Sequence, residues 1–146
     1  MTTPYNFGLR HIQGLRRNII ANNLVAPAGF FQATDFELQK CYNGIGPDRW
    51  APRFRNLVSK LLRSFEADAL IHDWEYTFQP KTYTHFTIAN ARFLVNTFVA
   101  AYDSNRGSWA KIIKQTAKGA LLALLCQLFG WSGYKSATPL NLSQSI

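Results

Sequence analysis

Acidic residues are scarce in this chain, with eight Asp and Glu against sixteen Lys and Arg over 146 residues, a formal charge of +8. The imbalance argues against an acidic, polycation-binding protein and favours a polyanionic partner: anionic lipid headgroups, nucleic acid or an acidic protein face. Cysteine is scarce too. Only Cys41 and Cys126 are present, far apart, so no disulfide framework is expected and nothing demands an oxidising compartment. Cys126, inside an apolar run, reads most simply as a small buried hydrophobe. Residues 1–10 lack the apolar stretch and small-residue cleavage site of a secretory signal. The longest apolar run, residues 119–131, is broken by Gln127 and falls short of the ~20 residues a spanning helix needs, so no transmembrane segment is expected. What is abundant is hydrophobic side chain, 47% against 16% charged, which excludes a disordered chain and suits one domain with a real core. No internal repeat and no dividing linker is visible.

The pattern along the chain is mainly helical. Residues 1–40 are the hardest to read. Leu9, Ile12, Leu15, Ile19 and Ile20 alternate with Arg10, Arg16 and Arg17 as in a short basic amphipathic helix. Ala26-Pro27-Ala28-Gly29 breaks that pattern, and Phe30, Phe31, Phe36 and Leu38 suggest short strands or an extended, irregular arm. Residues 42–47 hold two glycines and a proline and read as a loop. From Pro52 the apolar spacing turns helical through Leu57, Leu61, Leu62 and Phe65, continues to Phe78 and stops at Pro80. Thr84 is a candidate cap for a helix carrying Phe86, Ala89, Phe93, Val95, Phe98, Val99 and Tyr102. Ser108 is a candidate cap for a last long helix ending at Gly130. Residues 135–146 form a polar tail that frays or docks on a partner.

One stretch carries chemistry. His72 and Tyr76 are four apart and share a helix face, with Asp73 about 100° around the axis. A neutral imidazole can take a proton from water while a neighbouring carboxylate helps hold a hard divalent cation. Calcium takes ~6–8 oxygen ligands, so one Asp must be supplemented by carbonyls and water. Upstream, Tyr42-Asn43-Gly44-Ile45-Gly46 can turn successive carbonyls inward, because its glycines tolerate unusual dihedrals. Each feature also has a plainer reading: the His-Asp pair as a polar pair on a helix, the glycines as an ordinary turn.

Tyr42 to Gly46, followed by His72-Asp73-Trp74-Glu75-Tyr76, resembles the Tyr-x-Gly-x-Gly calcium loop and His-Asp-x-x-Tyr helix of the phospholipase A2 superfamily. The likeness is nearer still to its small phage-encoded members. Their loop, Pro- or Trp-containing linker, Ile-His-Asp-x-x-Tyr, Ala-Asp-x-x-Phe and aromatic-Gly ending are matched by Asn43 to Trp50, Ile71 to Tyr76, Ala89 to Phe93, and Leu128-Phe129-Gly130. The resemblance covers roughly residues 41–134. It implies a mainly α fold: an antiparallel helix pair with a calcium loop, an extra C-terminal helix and an irregular N-terminal arm. The chain would divide into an arm (1–40), a helical domain (41–134) and the polar tail (135–146).

The resemblance also implies roles. His72 would activate the attacking water, Asp73 and the carbonyls of Tyr42, Gly44 and Gly46 would bind Ca2+, the Gly44 amide would help stabilise the oxyanion, and Tyr76 would brace the network. The reaction implied is hydrolysis of a glycerophospholipid acyl ester by a phage-type protein, located in the virion or host cell and aiding host penetration or lysis. Its partner would be the membrane phospholipid surface. There are two departures. The family's second carboxylate, which orients the histidine, falls on Asn90, an amide that accepts a hydrogen bond but carries no charge. The cysteines expected in the loop and just before His-Asp are missing, with Ile45 in the loop position, as if an apolar contact replaces a disulfide.

The alternative is a catalytically weakened virion structural or interaction protein that keeps the fold and offers a basic surface to other virion proteins or nucleic acid. Arg16, Arg17, Arg49, Arg53, Arg55 and Arg63 are candidates for such a nucleic-acid face, ranked below lipid for want of a recognised motif. Trp50, Trp74, Trp109 and Trp131, with Phe30 and Phe31, read either as core or as an interfacial collar. Glu75 is expected to be a solvated helix residue. His11 and His85 have no ligand spacing around them, so zinc is not expected.

Overall fold

The computed structural model describes residues 8–42 and 63–137. Among them are seven α-helices and no strand. The first three helices are α1 (Leu9–Ala21), α2 (Ala28–Gln32) and α3 (Asp35–Cys41), followed by α4 (Glu66–Phe78) and α5 (Tyr83–Ser104). The last two are α6 (Trp109–Phe129) and α7 (Trp131–Ser136). The helix expected from Pro52 to Leu62 lies outside the described residues, as do Gly44, Gly46, Trp50 and the end of the tail.

The basic amphipathic helix expected from Leu9 to Ile20 forms as α1, but the strands or irregular chain expected after it are corrected: residues 28–41 fold into α2 and α3, and no strand forms at Phe30 or Phe36. Asn23, at φ 51°, turns the chain out of α1. Pro27 then starts α2, and Thr34 with Glu37 forms a reciprocal capping box on α3. Arg16 on α1 ties these pieces together, donating to the Ala33 carbonyl at 2.8 Å, the Phe31 carbonyl at 2.7 Å and the Asp35 carboxylate at 2.9 Å. Arg16 is therefore committed to holding α1 against α2 and α3.

The core of this half is apolar and shared with α4. Ile12, Ile19, Leu24, Phe30, Leu38 and Cys41 pack with Leu70, Ile71 and Trp74. Trp74 lies edge-on to Phe30, and Gly29 sits so close that a Cβ there would be 3.0 Å from the Trp74 ring. Trp74 and Phe30 are thus core residues and no part of a collar. Asn96 on α5 grips the backbone of Val25, accepting from its N–H and donating to its carbonyl, both at 2.8 Å.

α4 and α5 run antiparallel, as contacts from Tyr76 to Phe86 and from His72 to Phe93 require. The α5 cap is Thr82 rather than Thr84: its hydroxyl accepts from the His85 N–H, and Pro80 and Lys81 complete the turn. Ser108 does precede α6, though its side chain makes no capping hydrogen bond. α5 and α6 form a second antiparallel pair in which Gly119 lies tight against Thr97; a Cβ at residue 119 would lie 2.4 Å from the Thr97 side chain. α7 then folds back, and Tyr134 donates to the Pro80 carbonyl at 2.6 Å.

Glu75 also departs from expectation. It is buried and ion-paired with Arg92 across the α4–α5 seam, because its helix face looks into α5 and not into water.

Candidate active site

The polar centre of the molecule lies where α4, α5 and α6 meet. His72 Nε2 is 2.8 Å from Asn90 Oδ1, and the Tyr76 hydroxyl donates to the same oxygen at 2.9 Å. Asn90 Nδ2 in turn donates to Gln127 Oε1 at 2.7 Å. With the amide oxygen accepting twice, Nε2 must carry the imidazole proton, which leaves Nδ1 as the basic nitrogen. Gln127 Nε2 closes the chain of bonds on the Tyr83 hydroxyl at 3.2 Å.

Ring packing fixes these groups. The His72 ring lies 4.0 Å from that of Tyr76 and 5.3 Å from that of Phe93. Tyr134 from α7 stands edge-on to Tyr76 at 4.9 Å. At the end of α6, Gly130 leaves room for the Tyr76 hydroxyl, which a Cβ would approach to 2.9 Å. The sequence-predicted residues His72, Tyr76 and Asn90 are therefore brought together. Gln127 is the member that sequence reasoning missed, and its one signal is an amide inside an otherwise apolar run.

Burial dominates the electrostatics. It pushes His72 down to about 4, partly offset by the Asn90 hydrogen bond, so the ring is neutral at neutral pH. Burial also drives the Tyr76 phenol far above its usual range. Asp73 is half-exposed. Cys41 and Tyr42 are raised by burial first and by the Asp73 carboxylate second, and Cys126 reaches about 12 for the same reasons. Asp73 thus acts on groups at the end of α3 and on the last turns of α6, which sets Tyr42 and Asp73 in one neighbourhood. Both cysteines are free, Cys41 buried and Cys126 half-buried.

No protein-family model, curated protein or solved structure matches this chain. The likeness to phospholipase A2 rests on the residues alone.

Among the described residues no group of three or more His, Cys, Asp and Glu is placed to hold a metal. A site made of one carboxylate and backbone carbonyls does not need such a group. Of the expected calcium ligands, Asp73 and Tyr42 are described, whereas Gly44 and Gly46 lie outside the described residues. His11 faces Glu66 at 3.3 Å and His85 pairs with Thr82 at 2.7 Å.

A second carboxylate shares the His72 face. Asp68, one turn earlier on α4, is buried with neither oxygen hydrogen-bonded, and desolvation raises it to about 8. Burial thus favours its neutral form.

Proposed function

We propose that this chain is a calcium-dependent, phospholipase A2-like hydrolase of the phage type, cleaving an acyl ester of a glycerophospholipid. The observation that supports it is the His72–Asn90–Tyr76 constellation, in which one imidazole nitrogen is held by a cross-helix acceptor and the other is left basic.

In this reading Nδ1 of His72 removes a proton from water as the water oxygen attacks the ester carbonyl. The resulting imidazolium keeps its Nε2–H on Asn90 Oδ1. When the tetrahedral intermediate collapses and the ester C–O bond breaks, Nδ1 returns the proton to the leaving alkoxide. Tyr76 and Phe93 keep the ring from turning. Asp73 and the Tyr42 carbonyl, with Gly44 and Gly46, would hold calcium, which supplies positive charge to polarise the ester carbonyl.

Asn90 sets the rate expected of this machinery. An amide dipole stabilises the imidazolium less than a carboxylate does, so turnover is slower than with Asp at that position. The same substitution, matched by the Gln127 carbonyl that accepts from it, favours the second reading: a virion structural or interaction protein on the same fold. Fatty-acid release from phospholipid vesicles, with calcium or chelator, separates the two. The hydrolase gives calcium-dependent release that disappears in His72→Gln, and the structural protein gives none.

A further inference from the structure

α6 is long and apolar enough to cross a membrane, with mean hydropathy 1.3 over its best window, yet only 22% of that window is buried. A core helix of this composition would be mostly covered. Its uncovered apolar side is a continuous stripe: Ile113 is 65% exposed, Leu121 48%, Leu124 53% and Leu128 62%. α5 exposes a second stripe through Ile88, Val95, Phe98 and Tyr102.

The two stripes lie on one side of the hairpin. At its turn, the Tyr102 and Trp109 rings are 6.4 Å apart. At its open end, Gln127, a wheel neighbour of Leu124, reaches across to Tyr83 and Thr87 on α5. The outward face is thus apolar from end to end, with Trp109 exposed at the turn and Leu128 exposed at the other end.

Charge says what covers it. Lys111, Lys114 and Lys118 are all exposed and sit about a quarter turn around α6 from the leucine stripe. Lysines at that boundary, with Trp and Leu below them, mark a helix lying in the plane of an anionic interface. A spanning arrangement would place Lys118, near the middle of α6, in hydrocarbon. A second copy of this basic chain would set like charges against each other.

We propose that the outer face of the α5–α6 hairpin docks in the plane of an anionic phospholipid bilayer, its leucines in the acyl region and its lysines at the phosphates. This extends the lipid-hydrolase reading by giving the site a way onto its substrate surface, since Gln127 borders the stripe and belongs to the His72 network. It rests on different residues, and its test reads binding without turnover, so either can fail alone.

The test is flotation of the full chain with vesicles of phosphatidylcholine, or of phosphatidylcholine with phosphatidylglycerol. Wild type is expected to float with the anionic vesicles and far less with the neutral ones. Exchanging Leu121, Leu124 and Leu128 together for Gln should weaken anionic binding at least ~10-fold with helicity by circular dichroism unchanged. Exchanging Lys111, Lys114 and Lys118 for Gln should weaken it roughly fivefold per lysine and erase the anionic preference. Wild type that stays off anionic vesicles, or leucine variants that still bind, overturn the proposal. So does a leucine variant that only turns a dimer into a monomer, which assigns the face to a second copy. Should the leucine variant lose helicity, a lysine variant that keeps its preference for anionic vesicles is equally decisive against it.

Discussion

Burial and hydrogen bonding pull His72 in opposite directions. Loss of water lowers it to about 4, and the Asn90 oxygen raises it only in part. Asn90→Asp is expected to bring His72 back toward the ordinary imidazole range and to speed ester hydrolysis, with Gln127 turning its amide to donate. An NMR titration of the His72 ring checks the first outcome and initial rates the second. The same burial has a cost in stability. The folded value lies below the unfolded ~6.5, so the unfolded chain takes up the extra proton, and stability falls by about 3 kcal/mol as pH drops from ~6.5 to ~4. Asp68 behaves oppositely. Its folded value is raised to about 8, so its protonated form is fully favourable below the unfolded ~3.8, and stability is lost as pH rises toward 8. Asp68→Asn should therefore stabilise the protein by several kcal/mol at pH 8 and hardly at pH 4.5, read by urea unfolding at both; an equal effect at the two would contradict the assignment. His72, Tyr76 and Asn90 are legible in the sequence because motif and four-residue spacing put them on facing helix sides. Gln127 and Glu75 are not, since each depends on how a neighbouring helix lies against its own.

At the scale of elements, local pattern locates helices better than it locates their contacts. α4, α5 and α6 follow from apolar spacing and from Pro80, Ser108 and Gly130. So does α1, but α2 and α3 do not, because they are too short for a period to declare itself and are held by Arg16 and the Thr34–Glu37 box. The cap at Thr82 is missed for Thr84 because both are threonines near the same turn and only the backbone decides between them. The α5–α6 contact makes its own prediction. Gly119→Ala places a methyl 2.4 Å from Thr97, where neither helix can yield without opening the seam. Overpacking of this kind costs about 1–3 kcal/mol and should lower Tm by about 5 °C or more. A Tm unchanged by Gly119→Ala would mean that the helices do not meet there. The same substitution at Gly14, which has open space around it, is the control.

For the whole molecule, an N-terminal helical trio and a C-terminal hairpin hold α4 between them. The trio supplies the apolar wall behind Trp74 and Ile71, and α5 and α6 supply the polar partners of His72 and Tyr76. The charge of +8 leaves the exterior suited to anionic surfaces, as the composition alone suggests. We propose that His72, held by Asn90 and helped by a cation at Asp73, hydrolyses a phospholipid ester. It is tested most directly by fatty-acid release from phosphatidylglycerol-containing vesicles. The expected result is release that needs calcium, stops with chelator, is lost at least ~100-fold in His72→Gln and rises in Asn90→Asp. Release that survives the His72 change, or none from wild type and Asn90→Asp alike, would contradict it.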